Sequence, residues 1–396
     1  MSNTTPPKWK QDLQKWLMLN ASRMDDLADA GIRRLRRRFG RQGVPQLQTY
    51  MGYASRDAIH LHGRVLTNPA IEPNFDDDRW WHNLVGTMRR FASDEVPGIT
   101  VEASVEGVTA TSISDSEGYF RITLPLHASM RVSGFWSQAR LHMIDAPGVN
   151  REQDQAFCNF LNTPENASYA IISDVDDTIL HTGATDIATM AKLTFFGNAR
   201  TRAPLDGVAE LYERMQQDGG TDGVLKNPIF YISSSPWNLY DLLEDFLDLN
   251  AIPRGPLLLR DLGIDEHKFI KSTHDHKIDK LNQLLDHLDG LSFILLGDSG
   301  QEDARLYATA ARHAPDRIKA IFIRDIDPSV QSHHDTKVDQ YVRQAAEVDV
   351  PMYLVKDSVD VADRLIREEL LTEAAYDRIV RATDRDRHRQ RTPVQP

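Results

Sequence analysis

The chain has 396 residues, 41% apolar and 26% charged, a length that at roughly 100–200 residues per domain allows two or three folded units and a balance that excludes wholesale disorder. One cysteine, Cys158, excludes an intramolecular disulfide and any cysteine-built zinc or iron–sulfur site. A net charge of −12, from 46 Lys and Arg against 58 Asp and Glu, argues against a nucleic-acid partner.

Residues 1–43 form a basic arm, in which ten cations from Lys8 to Arg41 face four aspartates. Trp9, Leu13, Trp16, Leu17, Leu27, Ile32 and Leu35 recur at a helical period. Such a helix can dock on the body or on a second subunit, or lie on an anionic membrane surface, where each cation adds about 1 kcal/mol. Trp16–Leu19 is too short for the core of a signal peptide, and no apolar run reaches the ~18–20 residues of a membrane span. The expected compartment is the cytoplasm, with peripheral membrane attachment through the arm.

Residues 47–145 read as short, partly alternating strands: Ala58–Thr67, Ile99–Val105, Val108–Ser112, Tyr119–Leu124 and Met130–Trp136. Turn chemistry such as Asp115-Ser116-Glu117-Gly118 separates them, the pattern of an antiparallel β-sandwich, with one helix expected over Trp80–Phe91. His60 and His62 alternate on a strand, without the carboxylate or thiolate partner that a metal site would want.

From about residue 165 the rhythm becomes strand–helix–strand. Tyr169–Ser173, Ile229–Ser233, Phe293–Gly297, Ile318–Ile323 and Met352–Val355 are continuous apolar runs. Helical stretches lie over Asp206–Gln217, Tyr240–Leu249, Lys277–Leu288, Asp303–His313 and Val361–Leu371. This alternation predicts an α/β unit over 165–372, a parallel sheet covered on both faces with its ligand site at the carboxyl ends of the strands. The polar stretch 383–396 reads as a loose tail.

Those carboxyl ends carry the chemistry. The first strand runs into Asp174-Val175-Asp176-Asp177-Thr178, the second ends in Ser233-Ser234-Ser235-Pro236, Lys277 opens a helix, and a later strand ends in Gly297-Asp298, five residues before Asp303. Acids gathered on buried strand ends cost several kcal/mol unless a cation offsets them, and hard carboxylate oxygens without thiolates select Mg²⁺. A calcium loop beginning at Asp174 fails, because Ile179 and Thr185 stand where it needs Gly and Glu. No Gly-x-x-x-x-Gly-Lys phosphate loop exists, and Ser233–Ser235 lack the glycines of a serine nucleophile elbow.

The order Asp-x-Asp-x-Thr, Ser, Lys, Gly-Asp-x-x-x-x-Asp resembles the four motifs of the haloacid dehalogenase superfamily, in its aspartate-nucleophile phosphatase branch. The wording Asp-Val-Asp-Asp-Thr-Ile, Ser-Ser-Ser-Pro-Trp-Asn-Leu-Tyr and Gly-Asp-Ser-Gly-Gln-Glu-Asp is similar to the phosphatidate phosphatase family of the fungal actin-patch type. The resemblance covers about 165–370 well and 47–145 more loosely, and it does not reach the arm. It implies a Rossmann-like sheet without a full cap and hydrolysis of phosphatidate, or a related lipid phosphate, to diacylglycerol and phosphate. Asp174 would be the nucleophile that forms an aspartyl-phosphate, and Asp176 the acid and then the base. Mg²⁺ would sit between Asp174, the Asp176 carbonyl and Asp298. Ser233, the amides of Ser234 and Ser235, and Lys277 would hold the phosphoryl oxygens; Thr178 and Asp303 would support the loop and Lys277.

Only a short insert, His181–Leu205 with Phe195-Phe196, stands where a cap could grow, so a bulky lipid head group fits the expected access. Phe195, Phe196 and Trp237 could touch acyl chains or simply pack. Two other readings stay open: a phosphatase of phosphoproteins, nucleic-acid ends or small phosphate esters, and a noncatalytic adaptor binding lipid or protein. The pairs His274/His276 and His333/His334 read as solvated loop residues, with a second metal site as the alternative.

Overall fold

The computed structural model describes residues 44–67, 94–126, 130, 134–146, 155–175, 178–179, 204–260, 275–300, 302–326 and 333–391. The basic arm, the Trp80–Phe91 helix, Asp176, Asp177, Phe195, Phe196 and His274 lie outside them.

Among the described residues eight strands build the N-terminal sheet: β1 (Pro45–Ala54), β2 (Ala58–Thr67), β3 (Asp94–Glu95), β4 (Thr100–Val105), β5 (Val108–Ile113), β6 (Tyr119–Pro125), β7 (Trp136–Met143) and β8 (Gln155–Leu161). Their alternation sends Val101, Ala103, Ile122, Leu124, Ala139 and Leu141 into one core while the intervening residues face outward. The β4–β5 hairpin closes through Glu106-Gly107, both at positive φ (49° and 82°), the geometry a two-residue hairpin turn requires.

The N-terminal sheet departs from the sequence pattern in three ways. A sandwich would have two sheets, but these strands form one continuous sheet in the order β5-β4-β7-β8-β1-β2, with β6 and β3 sharing the far edge of β2. The join is the parallel pairing of Gly52–Tyr53 with Phe160–Leu161, the one non-antiparallel pair in it among the described residues. β8 also carries the sheet past residue 145, and of the segment expected as a strand over Met130–Trp136 the described residues Met130, Gly134 and Phe135 lie outside β7, which begins at Trp136.

The second sheet is wholly parallel: β9 (Ala170–Asp174), β10 (Ile229–Pro236), β11 (Leu257–Arg260), β12 (Phe293–Asp298), β13 (Ile318–Arg324) and β14 (Met352–Val355), in the order β11-β10-β9-β12-β13-β14. Chain direction across the sheet reverses between β9 and β12, the switch point where a doubly wound sheet opens a crevice. One face packs on helices α1 (Val208–Gln216), α2 (Tyr240–Leu249), α6 (Ser358–Arg367) and α7 (Glu373–Arg391). The other packs on α3 (Asp275–His287), α4 (Asp303–His313) and α5 (His333–Ala346). Ile171 faces the first group and Ala170 and Ile172 the second, which is why β9 is apolar on both faces as far as Ser173.

The stretch from 383 is not a loose tail as far as Arg391. It continues α7, with Ala375, Ile379, Ala382 and Thr383 buried, Asp386 accepting the Gly207 amide at 3.1 Å, and Arg387 paired with Asp357. His333 and His334 likewise open a helix instead of sitting in a loop.

The two sheets meet through the turn after β10. Tyr50 stacks on Trp237 at 4.4 Å, the Met51 amide donates to Tyr240 Oη at 2.9 Å, and Arg64 Nη1 donates to Asn238 Oδ1 at 2.9 Å.

Candidate active site

Asp174 ends β9 and Asp298 ends β12, so the two strands flanking the switch point each deliver a carboxylate to the same crevice. Asp303 joins them from the first turn of α4, and the carboxylate oxygens of Asp174, Asp298 and Asp303 lie within 4.8 Å of one another. All three are at most 1% exposed. Lys277, in the first turns of α3, reaches Asp174 Oδ1 at 3.0 Å and Asp303 Oδ1 at 2.8 Å. Burial on its own would depress the Lys277 ammonium, yet Asp174, Asp303 and Asp298 outweigh it and push its pKa upward, so the side chain is held as a cation.

Three carboxylates against one ammonium leave the cluster formally negative in a buried place, which favours a further cation. The donor set is all oxygen, hard, and already gathered, so it fits a divalent ion of the magnesium or calcium type and not a thiophilic one. Among the described residues no other group of three His, Cys, Asp or Glu side chains comes together in this way.

Each acid is positioned by neighbours with no chemistry of their own. The Ser173 hydroxyl donates to the Asp174 carbonyl at 2.7 Å, so Tyr212 must be the donor in the 2.7 Å contact between its hydroxyl and Ser173 Oγ. Burial raises the Tyr212 pKa, keeping that proton in place. Asp298 Oδ1 accepts the Gly300 amide at 2.7 Å, closing the loop around its own carboxylate. Gly297 is required: a Cβ there would come within 2.7 Å of Asp303 Cβ and 2.9 Å of Tyr307 Cε2, forcing Asp303 away from the strand.

Ser233 is fully buried near the end of β10, its hydroxyl accepting the Ser235 amide at 3.0 Å, with β10 hydrogen-bonded directly to β9. The His276 ring lies 3.3 Å from the Ser233 carbonyl, an arrangement that calls for the proton on Nε2 and ties the start of α3 to the serine loop. Thr178 is buried beside a void of about 20 Å³ whose wall includes Tyr212, Gly297 and Arg324.

The structure therefore brings together Asp174, Lys277, Asp298 and Asp303, sets Ser233–Ser235 on the adjacent strand, and leaves Asp176 outside the described residues. Asp303, expected only to support, stands inside the acidic cluster. Ser173, Tyr212, Gly297 and His276 were not singled out as site residues. Gly297 and Ser173 adjoin the acids they position, whereas Tyr212 and His276 act through partners 39 and 43 residues away.

Residues 169–325, which run from just before β9 to just after β13, match the family described as phosphatidate phosphatase APP1, catalytic domain. Phosphatidate phosphatase APP1 of Saccharomyces cerevisiae is 32% identical over 194 residues, covering 48% of this chain and 32% of that protein. An uncharacterised protein of Schizosaccharomyces pombe is 28% identical over 159 residues, covering 40% of this chain and 25% of that one. The chain thus spans a third or less of the length of these curated relatives. A solved structure, the PilB minor pilin from Streptococcus sanguinis, aligns over 71% of this chain and 88% of its own at 6% identity and a TM-score of 0.25, too low to indicate a shared fold. The acidic cluster thus sits in the part of the chain that is similar to an actin-patch-type phosphatidate phosphatase catalytic domain.

Proposed function

We propose that this protein is a Mg²⁺-dependent phosphatase of the haloacid dehalogenase type that hydrolyses phosphatidate, or a related lipid phosphate, to diacylglycerol and phosphate. The observation that carries the reading is the convergence of Asp174, Lys277, Asp298 and Asp303 on the crevice between β9 and β12. The phosphatidate substrate is supported by the family match over those same residues.

Asp174 is the nucleophile. Held ionised beside Lys277, its carboxylate attacks phosphorus, and the bond to the lipid oxygen breaks as an aspartyl-phosphate forms. Asp176 gives its proton to the departing diacylglycerol oxygen and then takes one from the water that cleaves the acyl-phosphate. Lys277 and the Ser233 hydroxyl, with the Ser234 amide, hold the phosphoryl oxygens in line, while the Ser235 amide orients the Ser233 hydroxyl. Asp174, Asp298 and the Asp176 carbonyl would hold Mg²⁺, which supplies the charge that lets a carboxylate approach a phosphate dianion. Asp303 keeps Lys277 extended toward Asp174 through its 2.8 Å contact. The basic arm, residues 1–43, brings the enzyme to anionic membranes peripherally; among the described residues no helix is long and apolar enough to cross one.

The test is phosphate release from phosphatidate vesicles by the full chain with Mg²⁺, alongside lysophosphatidate, a phosphopeptide, a nucleotide and an aryl phosphate. Phosphatidate should turn over fastest, and Asp174→Asn should abolish the reaction. A metal-loaded protein that leaves both phosphatidate and the aryl phosphate intact overturns the reading. Removing residues 1–43 should weaken vesicle binding while sparing turnover of the aryl phosphate.

A further inference from the structure

The pairing of β10 with β9 ends at Ile232, opposite Asp174, and its register with β11 shifts between Ile232 and Pro236. Ser233, Ser234 and Ser235 therefore stand where the ladder no longer sets the backbone, at an irregularity of the kind that re-aims side chains beside a site. The turn that follows, Trp237–Leu239, starts from Pro236, and α2 starts from Leu239. Neither residue has a side-chain oxygen with which to cap a helix. Local sequence thus leaves the path of the serine loop open. His276 ties its beginning to α3, and the N-terminal sheet ties its end.

Three successive strand positions of that sheet meet the turn. Tyr50 on β1 stacks on Trp237 with ring centroids 4.4 Å apart and planes 23° apart, while His62 on β2 meets the same ring edge-on at 4.7 Å. Arg64, two residues further along β2, donates to Asn238 Oδ1 at 2.9 Å and is itself held by the Glu117 carbonyl and the face of Tyr119. Trp237 is 3% exposed, so of its two expected roles it packs inside the molecule and offers no ring to acyl chains. Only Pro236 separates this clamped ring from Ser235, whose amide donates to Ser233 Oγ at 3.0 Å.

We propose that Trp237 is a positioning residue for phosphoryl transfer, and that Tyr50 of the N-terminal sheet acts through it to set the serine loop against Asp174. The inference rests on the proposed function, which gives the Ser233 hydroxyl and the Ser234 amide to the phosphoryl oxygens. Donors of this kind act only when held in place, and a misplacement of about 1 Å can lower a rate about 10²-fold. The proline limits the backbone freedom between Trp237 and Ser235, so a displacement of the ring is passed to the loop instead of being absorbed. The N-terminal sheet is then a working part of the catalytic unit, and its stacking on the turn is what makes it so.

The test uses the full chain with Mg²⁺ and reads turnover of an aryl phosphate and, by calorimetry, binding of tungstate, a tetrahedral dianion that is not hydrolysed. Tyr50→Leu, which fills space without a ring, should lower kcat/KM about 10²-fold and weaken tungstate about ten-fold. Tyr50→Phe, which keeps the ring, should bring both back to within about three-fold of the native protein. Tyr240→Phe removes the Met51 hydrogen bond of the same junction and leaves the stack, so it should lower the melting temperature and move neither constant more than about two-fold. Should Tyr50→Leu fail to fold, Trp237→Phe, which shortens the stack but keeps a ring, should weaken both constants about five-fold. Native-like constants in Tyr50→Leu or, where that fails, in Trp237→Phe overturn the proposal and leave the proposed function standing. So do losses in Tyr50→Phe or Tyr240→Phe as large as those in Tyr50→Leu. A native protein that binds tungstate but hydrolyses nothing overturns the proposed reaction, and the binding arm then decides for or against Trp237. A native protein that does neither overturns both.

Discussion

The two sheets bury polar groups for opposite ends. In the N-terminal sheet the buried polar residues are few and serve the fold: Arg64 bonds the Glu117 carbonyl, Glu95 and Asn238, and the Ser114 hydroxyl accepts the Ile99 amide and donates to the Val96 carbonyl. In the parallel sheet Asp174, Asp298, Asp303 and Lys277 are buried together at one edge, where like charges oppose one another. A structure tolerates that only where the charges are used, so the parallel sheet carries its electrostatic cost at the switch point, while the N-terminal sheet buries no such group of like charges among the described residues.

That contrast breaks most sharply at Asp298. Asp298→Asn keeps the oxygen that accepts the Gly300 amide and removes one buried charge. Phosphate release should fall by about 10³-fold or more, the scale of losing a main electrostatic contributor to the site. The melting temperature in chelator should stay level or rise, because a repulsive charge is gone. A clear fall in both would mean that Asp298 serves the fold and that the contrast is false.

Lys277→Met reverses the stability half of the test. Methionine fills the space but leaves Asp174 and Asp303 buried without their shared cation. Breaking one partner of a buried ion pair costs about 3–5 kcal/mol. The loss should be largest in chelator and smaller with Mg²⁺, read as a shift in the urea midpoint under the two conditions.

A smaller effect tests whether the sheets unfold as one. Tyr240 Oη accepts the Met51 amide in a buried contact across the junction. Tyr240→Phe leaves that N–H orphaned and should cost about 1–3 kcal/mol. Cys158, buried in the N-terminal core with its thiol pushed up to about 12 by burial, reports the same event. It should resist thiol reagents in the native protein and become reactive only as the sheet opens; faster labelling in Tyr240→Phe would show that the junction protects the N-terminal core.

The sheets also differed in how far their residues could be read. α2 and α4 begin and end where apolar periodicity places them, over Tyr240–Leu249 and Asp303–His313. β11 was missed because Leu257–Arg260 is four residues long and follows Arg254-Gly255-Pro256, which reads as loop. β8 was missed because Gln155 and Asn159 dilute its pattern; it pairs antiparallel with β7 along its length and joins β1 in parallel at its end. The polar run in α7 looked like a tail because its support is tertiary: Arg387 finds Asp357, and Asp386 finds Gly207. At the site, the acids announce themselves by standing at the ends of apolar strands. Tyr212 and His276 do not, since what they hold lies 39 and 43 residues away.

The gentlest test of the contrast is acid. Outside the aspartate cluster, the junction carries its own titratable groups, His60 and His62, lowered from 6.5 to about 4 and about 3, first by burial and then by the neighbouring His287, Lys280 and Arg121. A histidine with a depressed folded pKa binds fewer protons folded than unfolded, so its contribution is intact above pH 6.5 and is lost as the pH falls toward 4. His60→Gln removes one such proton acceptor while keeping a polar group against Ser55 Oγ, which lies 3.3 Å from His60 Nε2. Between pH 7 and 4.5 the melting temperature of the native protein should therefore fall by a few degrees more than that of the variant. Parallel slopes would mean that the junction has loosened before His60 titrates, and that the two sheets part company earlier than their shared core implies.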